Sequence, residues 1–197
     1  MSTFPNDERL IDRFQADLKR LSPQDSVRKY ITTGMPTEIS EEDYFELRRI
    51  VAEEFSIHPS AVVLVGSCRL GFSIVPKKLW NPAHAGSDLD IAIVSAERFD
   101  VYWESVFAYS RVDRAWHATK RYRRFVNTLF RGWIDPRWLP PVPSFKEAAR
   151  WTEFFDELMR SRRFGKRRIS ARLYRTWSRF DAYQEIAVQK CASALSN

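Results

Sequence analysis

Two short runs of mostly β-branched residues, Ala61–Val65 (AVVLV) and Leu89–Val94 (LDIAIV), constrain this chain more than any other feature. Each is short for a helix and bounded by turn formers, with Pro59 and Gly66 around the first and Gly86-Ser87 ahead of the second. Length and flanks therefore predict two buried strands. Helical spacing precedes them. Leu10, Ile11, Phe14, Leu18 and Leu21 recur on one face from Asn6, a residue placed to cap the first turn. Ser22-Pro23 predicts the start of a short helix that ends near TTGMP. Ser40 opens a third, whose apolar face is Tyr44, Leu47, Val51 and Phe55.

After the second strand, ERFDVYWESVFAYS reads as a helix, and RVDRAWHATKRYRRFVNTLF as another that ends near Gly132. The segment IDPRWLPPVPS carries four prolines, is expected to lack regular structure, and is the only internal boundary visible. Ser144 and Glu147 have capping-box spacing ahead of a helix with Trp151, Phe154, Phe155 and Leu158. RSRRFGKRR then reads as a basic turn and Arg168–Tyr174 as a strand, with Ser178 capping a last helix through Tyr183, Ile186 and Val188. Trp103, Trp116 and Trp151 sit in helical apolar patterns and are assigned to the core, as are Tyr174 and Trp177. The expected fold class is α/β (α+β), a small mixed sheet of about three strands or more flanked by helices. A single unit over residues 1–197 is expected, with a helical segment 1–57, a motif region 61–95 and a basic half 101–197.

A hydrophobic share of 44% is enough to offset chain entropy, which excludes a disordered chain. The net charge of +7 is unevenly spread. Residues 1–100 hold 12 basic against 16 acidic side chains, and residues 101–197 hold 20 against 9. The C-terminal half is therefore the expected face for a polyanion, such as nucleic acid. Within it, residues 160–175 contain no acid, and Lys166, Arg167 and Arg168 are candidate nucleic-acid contacts, with Phe164 a candidate stacking surface. Cys68 and Cys191 have no metal-ligand spacing, nor do His58, His84 and His117. No run reaches the ~18 to 20 apolar residues that span a bilayer. A reduced, cytoplasmic setting without membrane contact is the expectation.

The chemistry is concentrated where the two strands begin and end. Gly66-Ser67 follows the first strand directly, and a glycine there lets the backbone approach a bound group. Consecutive amides in such a turn form an anion site suited to a triphosphate. Asp88 and Asp90 stand one residue apart at the head of the second strand, so both carboxylates face one side while Leu89 turns to the core. Paired hard-oxygen ligands suit Mg²⁺ or Mn²⁺, which can bridge them to nucleotide phosphates.

This pattern, Gly66-Ser67-Cys68-Arg69-Leu70-Gly71 and then Ser87-Asp88-Leu89-Asp90, resembles the nucleotidyltransferase superfamily of the DNA polymerase β type. The resemblance covers residues 61–95 directly. It implies a divalent-metal and catalytic site at Asp88 and Asp90, and nucleotide contacts at Gly66, Ser67, Arg69 and Ser87. It also implies transfer of a nucleoside monophosphate from an NTP or dNTP to a hydroxyl acceptor, with release of pyrophosphate. Small prokaryotic relatives of this kind act in antiviral defence and in toxin–antitoxin pairs. A nucleic-acid acceptor, a partner protein that receives AMP, and a catalytically silent binding module stay open as alternatives.

Two departures from the pattern stand out. Ser67 and Asp88 are 21 positions apart, with PKKLWNPAHAG extending the loop between them. That loop is expected to overhang the nucleotide, with Lys77 and Lys78 in reach of phosphates and His84 beside it. The family also supplies a third carboxylate from a later strand, yet Arg168–Tyr174 contains no acid. Asp88 and Asp90 are then expected to face a strand position occupied by Ser170 or Arg172, with Asp113, Asp135, Asp156 and Asp181 as the remaining acids to consider.

Overall fold

The computed structural model describes residues 7–142 and 145–195, so Asn6 and Ser144, two of the expected helix caps, lie outside the described residues. The chain begins with α1 (Asp7–Leu18), α2 (Pro23–Val27), a π-helical turn over Arg28–Thr32, and α3 (Glu41–Phe55). Ser22 and Ser40 cap α2 and α3 by accepting from the amides of Asp25 (3.0 Å) and Asp43 (3.1 Å), as their sequence context requires. Strand β1 (Val62–Val65) leads through Gly66 into the one-turn helix α4 (Ser67–Leu70), and β2 (Leu89–Val94) follows the extended loop. Next come α5 (Ala96–Val112), α6 (Lys120–Phe130), the two-residue β3 (Trp133–Ile134), α7 (Lys146–Arg160), β4 (Ile169–Tyr174) and α8 (Trp177–Leu195).

The fold is mixed α+β, built on one four-stranded sheet of order β1-β2-β4-β3. β1 and β3 run antiparallel to their neighbours, while β2 and β4 are parallel. Alternation along the strands feeds two cores. Leu64, Leu89, Ile91, Ile93 and Leu173 point to α3, α5 and α7, where they meet Leu47, Phe55, Phe99, Trp151 and Phe155. Val63, Val65, Ala92, Val94 and Tyr174 point the other way, to Phe14 of α1 and Phe180 and Val188 of α8. Helices thus cover both faces, which is why the central strands read as unbroken apolar runs.

Several local expectations are corrected. The stretch expected as one helix over residues 111–130 is interrupted: α5 continues to Val112, and Asp113 leaves the helical conformation. The Asp113 carboxylate stops α5 by accepting from the Ala115 amide (2.9 Å) and the Tyr109 hydroxyl (2.6 Å), and Thr119 then caps α6. The described part of the proline-rich connector, residues 134–142, carries regular structure, with β3 at its start and a 3-10 turn at Pro136–Trp138, where a missing N–H costs least. Its Ile134 and Leu139 are buried in the core. α8 is capped by Thr176, which accepts from the Arg179 amide, rather than by Ser178. Trp116 and Trp151 are core residues as expected, whereas Trp103 and Trp177 are about two-fifths exposed, at 39% and 42%.

The N-terminal helix is fastened by a buried ion cluster. Asp17 is 2% exposed and accepts from Lys29, Tyr30 and Arg20, so α1 is tied to the π-helical turn. The Lys29 contact, followed by those of Tyr30 and Arg20, holds the Asp17 carboxyl well below the usual carboxylate range. A depressed folded-state pKa contributes stability that is present above the unfolded value, about 3.9, and is lost as pH falls through the folded one. Replacing Asp17 by Asn is therefore expected to lower stability at neutral pH and to flatten its decline below about pH 4. Urea unfolding across that range measures both slopes, and equal slopes in the two proteins would exclude the cluster as their cause.

Candidate active site

Antiparallel pairing of β1 with β2 sets Val65 opposite Asp90, and parallel pairing of β2 with β4 sets Asp90 opposite Ser170. The C-terminal end of β1 and the N-terminal ends of β2 and β4 therefore meet at one edge of the sheet. Gly66 leaves that edge at φ 74° and ψ −157°, a conformation essentially confined to glycine. A Cβ at this position would lie 3.0 Å from Asp90 Oδ2, so the absence of a side chain lets the turn and the carboxylate share the space. Ser67, Cys68 and Arg69 then form the first turn of α4, whose leading amides have no partner within the helix.

Asp90 is half-buried and its Oδ1 accepts from the Ser170 hydroxyl at 2.6 Å. Asp88, one residue ahead of β2, is exposed. Between them Leu89 is 0% exposed, and its amide donates to the Arg168 carbonyl at 2.8 Å, which fixes the head of β2 against β4. Ser87 and His84 shape the approach: the Ser87 hydroxyl accepts from the His84 amide, and the His84 ring accepts from the Gly86 amide. The Gly66 turn and Asp90 thus share one edge of the sheet, with Asp88 exposed one residue ahead of β2.

Arginines surround the pair. Arg167 reaches over α4 and donates to the Cys68 sulfur at 3.2 Å, which places a guanidinium beside the Gly66-Ser67 turn. Burial pushes the Cys68 thiol up to about 11, against the pull of Arg167, so the sulfur is a neutral group here. Lys166 and Arg168 are exposed. A cavity of about 340 Å³ opens next to Ser170, with Asp135, Arg137, Arg168 and Arg172 in its wall and Trp151 and Phe155 behind them. Phe164 is buried and offers no stacking surface.

The third-carboxylate question has a structural answer among the described residues. Ser170 occupies the β4 position facing Asp90. Two acids, Asp135 just past β3 and Asp156 of α7, line the cavity beside Ser170, and Asp135 is committed to Arg137 (Nε to Oδ1 2.8 Å) and to Arg172 (Nε to Oδ2 3.5 Å). Burial acts to raise its pKa, but the Arg137 hydrogen bonds and the charges of Arg137 and Arg172 prevail and keep it ionised below the ordinary value. Burial likewise lowers the proton affinity of Arg172, and Tyr183, Tyr174, Asp135 and Asp90 more than restore it. No cluster of three or more His, Cys, Asp or Glu able to hold a metal occurs among the described residues. Two carboxylates are still a fitting donor set for Mg²⁺, which commonly takes one or two from protein and completes its shell with water and substrate phosphates.

Two expectations place differently. Arg69 is 1% exposed and donates from Nε to the Tyr30 carbonyl at 3.0 Å, so it ties α4 to the N-terminal segment instead of presenting a cation to the edge. The extended loop folds back on α1: Phe72 and Trp80 pack against Phe14, leaving Lys77 and Lys78 in an exposed turn. Arg137 gave no signal in the proline-rich connector, and only the pairing of β3 with β4 shows that it and Asp135, one of the four acids considered, flank the site. Comparison with protein-family models, with curated proteins and with solved structures finds no match for this chain.

Gly66→Ala is expected to cost more stability than Gly165→Ala. Both glycines have positive φ, worth about 1–3 kcal/mol of backbone strain, but a Cβ at Gly165 meets nothing within 4 Å, whereas one at Gly66 meets Asp90. Denaturant unfolding of the two variants compares them, and equal losses would show that the glycine does not serve the carboxylate.

Proposed function

We propose that this edge is the active site of a metal-dependent nucleotidyltransferase. It would take an NTP or dNTP with Mg²⁺ or Mn²⁺ and pass a nucleoside monophosphate to a hydroxyl acceptor. The observation that carries the reading is the joint placement of the Gly66 turn and Asp90, with an anion-accepting backbone and a metal-accepting carboxylate separated by the width of a missing methyl group. The turn at Gly66 and Ser67, with Arg167 beside it, binds the triphosphate. Asp88 and Asp90 hold the metal, with Ser170 fixing the orientation of Asp90 and leaving Oδ2 turned to the phosphate side. A bound divalent ion would neutralise charge on the attacking and leaving oxygens.

In the transfer, the acceptor oxygen bonds to the α-phosphorus and gives up its proton to water, the bond from that phosphorus to the bridging oxygen breaks, and pyrophosphate departs with its electron pair. Positioning and charge neutralisation supply most of the acceleration in such reactions. The exposed Arg168, in the wall of the cavity beside Ser170, and Lys166, exposed two residues before it, favour an acceptor that carries phosphates, such as a nucleic-acid end.

A second reading, nucleotide binding without transfer, is favoured by one observation: a serine faces Asp90 where the resemblance implies a third acid, and Asp135 is neutralised by arginines. Incubation with each labelled NTP and dNTP, with Mg²⁺ or Mn²⁺, with and without an oligonucleotide, separates the readings. Labelled product and pyrophosphate support the first; metal-dependent binding with neither supports the second. Asp90→Ala is expected to abolish metal-dependent binding and any transfer in a folded protein. Arg167→Glu is expected to weaken triphosphate binding by about tenfold or more and to reduce its salt dependence. Wild-type binding by a well-folded Asp90→Ala protein would overturn the site assignment.

A further inference from the structure

Two exposed surfaces on either side of Phe130 complement each other. The first is a groove of about 590 Å³ between α8 and the 74–76 segment, with an apolar floor that includes Val75, Trp133 and Ile186. Arg131, Arg179 and Lys190 line it, no acid does, and none of the three cations has a side-chain partner among the described residues. Arg179 and Lys190 are eleven residues apart on α8, about 16 Å along the helix, so a cation stands at each end of the apolar stripe. A single small anion would satisfy one end only. The spacing suits another helix lying along α8, apolar on its contact face and acidic along its length.

The second surface is such a helix. On α5, Trp103 and Phe107 are 39% and 51% exposed, with rings stacked at 5.8 Å and 19°. Glu97 and Glu104, seven residues apart on the same helix, are exposed and have no side-chain partner among the described residues. α6 covers only part of the two rings, and leaving the rest of this aromatic surface in water is costly. Phe130, 89% exposed, lines the α8 groove, while Val126, one turn earlier on α6, lines the crevice that holds Trp103 and Phe107. The acidic aromatic face and the basic apolar groove are thus neighbours on one chain, with Phe130 between them.

We infer that the chain forms a two-fold dimer in which α5 of each copy lies in the α8 groove of the other, with Phe130 near the axis. A two-fold operation about that point exchanges the two surfaces, so both contacts form at once and assembly stops at two copies. Trp103 and Phe107 supply the buried aromatic centre, and Glu97 and Glu104 face Arg179 and Lys190 of the partner subunit. α5 leaves β2 at its C-terminal end, whereas Asp88 and Asp90 stand at the N-terminal end, so the dimer leaves the candidate active site open. The inference is independent of the activity proposed for that site.

Sedimentation equilibrium on the full chain tests it with two charge-reversed proteins, Glu97→Lys/Glu104→Lys and Arg179→Glu/Lys190→Glu. The unaltered chain is expected to be a dimer. Each reversed protein alone is expected to dissociate at least tenfold more readily, because like charges then meet at both contacts. Mixing the two is expected to restore a dimer containing one copy of each, since opposite charges return at both contacts. Far-UV circular dichroism establishes that both variants are folded, and Phe130→Ser, which leaves every charge in place, is expected to weaken the dimer as well. A monomeric unaltered chain, a dimer indifferent to either reversal, or folded variants that do not pair on mixing would each overturn the inference.

Discussion

The parallel pairing of β2 with β4 is the constraint on which the rest of the structure depends. These strands are joined by a long crossover containing α5, α6, β3 and α7, yet their register is fixed residue by residue, from Leu89 against Ile169 to Val94 against Tyr174. A one-residue slip would exchange the faces of β4. Arg172 would then enter the cluster of Leu89, Ile91 and Ile93, where a charge has no partner, and Ala171 would leave it. The correct register instead puts Ser170 on Asp90 and Arg172 on Asp135. The same energetics that bury the sheet therefore assemble the polar edge.

The charge asymmetry of the sequence is partly spent inside the fold. Arg163 of the basic turn bonds Glu46 of α3, and Arg150 of α7 bonds Glu54 of the same helix at 2.6 Å. The basic half is folded against the acidic half, and exposed pairs of this kind contribute little each but orient the two segments. Of the cations left over, Arg167 lies at the Gly66 turn, with Lys166 and Arg168 beside it in sequence, and Arg131, Arg179 and Lys190 line the α8 groove.

How far the sequence could be read follows from the range of the forces involved. Strands β1, β2 and β4, and the caps at Ser22 and Ser40, depend on neighbouring residues and were legible there. The approach of Gly66 to Asp90 was legible too, because it needs only a turn after one strand and the head of the next. The placement of Ser170 opposite Asp90 followed once β4 was recognised. The break at Asp113 was not legible, since an aspartate inside an amphipathic pattern looks like a solvated helical residue until its carboxylate is seen capping the Ala115 amide. Trp103 and Trp116 had equivalent patterns, and only packing separates the exposed ring from the buried one. Arg69 was misplaced for a related reason. Its neighbours Gly66 and Ser67 belong to the edge, but α4 is a single turn, and successive residues on it point in different directions.

That misplaced arginine changes what counts as the smallest working piece of this protein. Arg69 is anchored by a carbonyl from Tyr30, and the amides of Thr37 and Glu38 donate to the carbonyls of Arg69 and Cys68. The strand-turn-helix that carries the motif is thus held from behind by residues that precede it by some thirty positions. A fragment trimmed to begin at β1 would keep every residue of the motif and lose the scaffold that aims it, leaving a guanidinium without its acceptor in an apolar wall. The helical N-terminal segment is part of the instrument that shapes the Gly66 turn, and a boundary drawn by motif alone would cut through it.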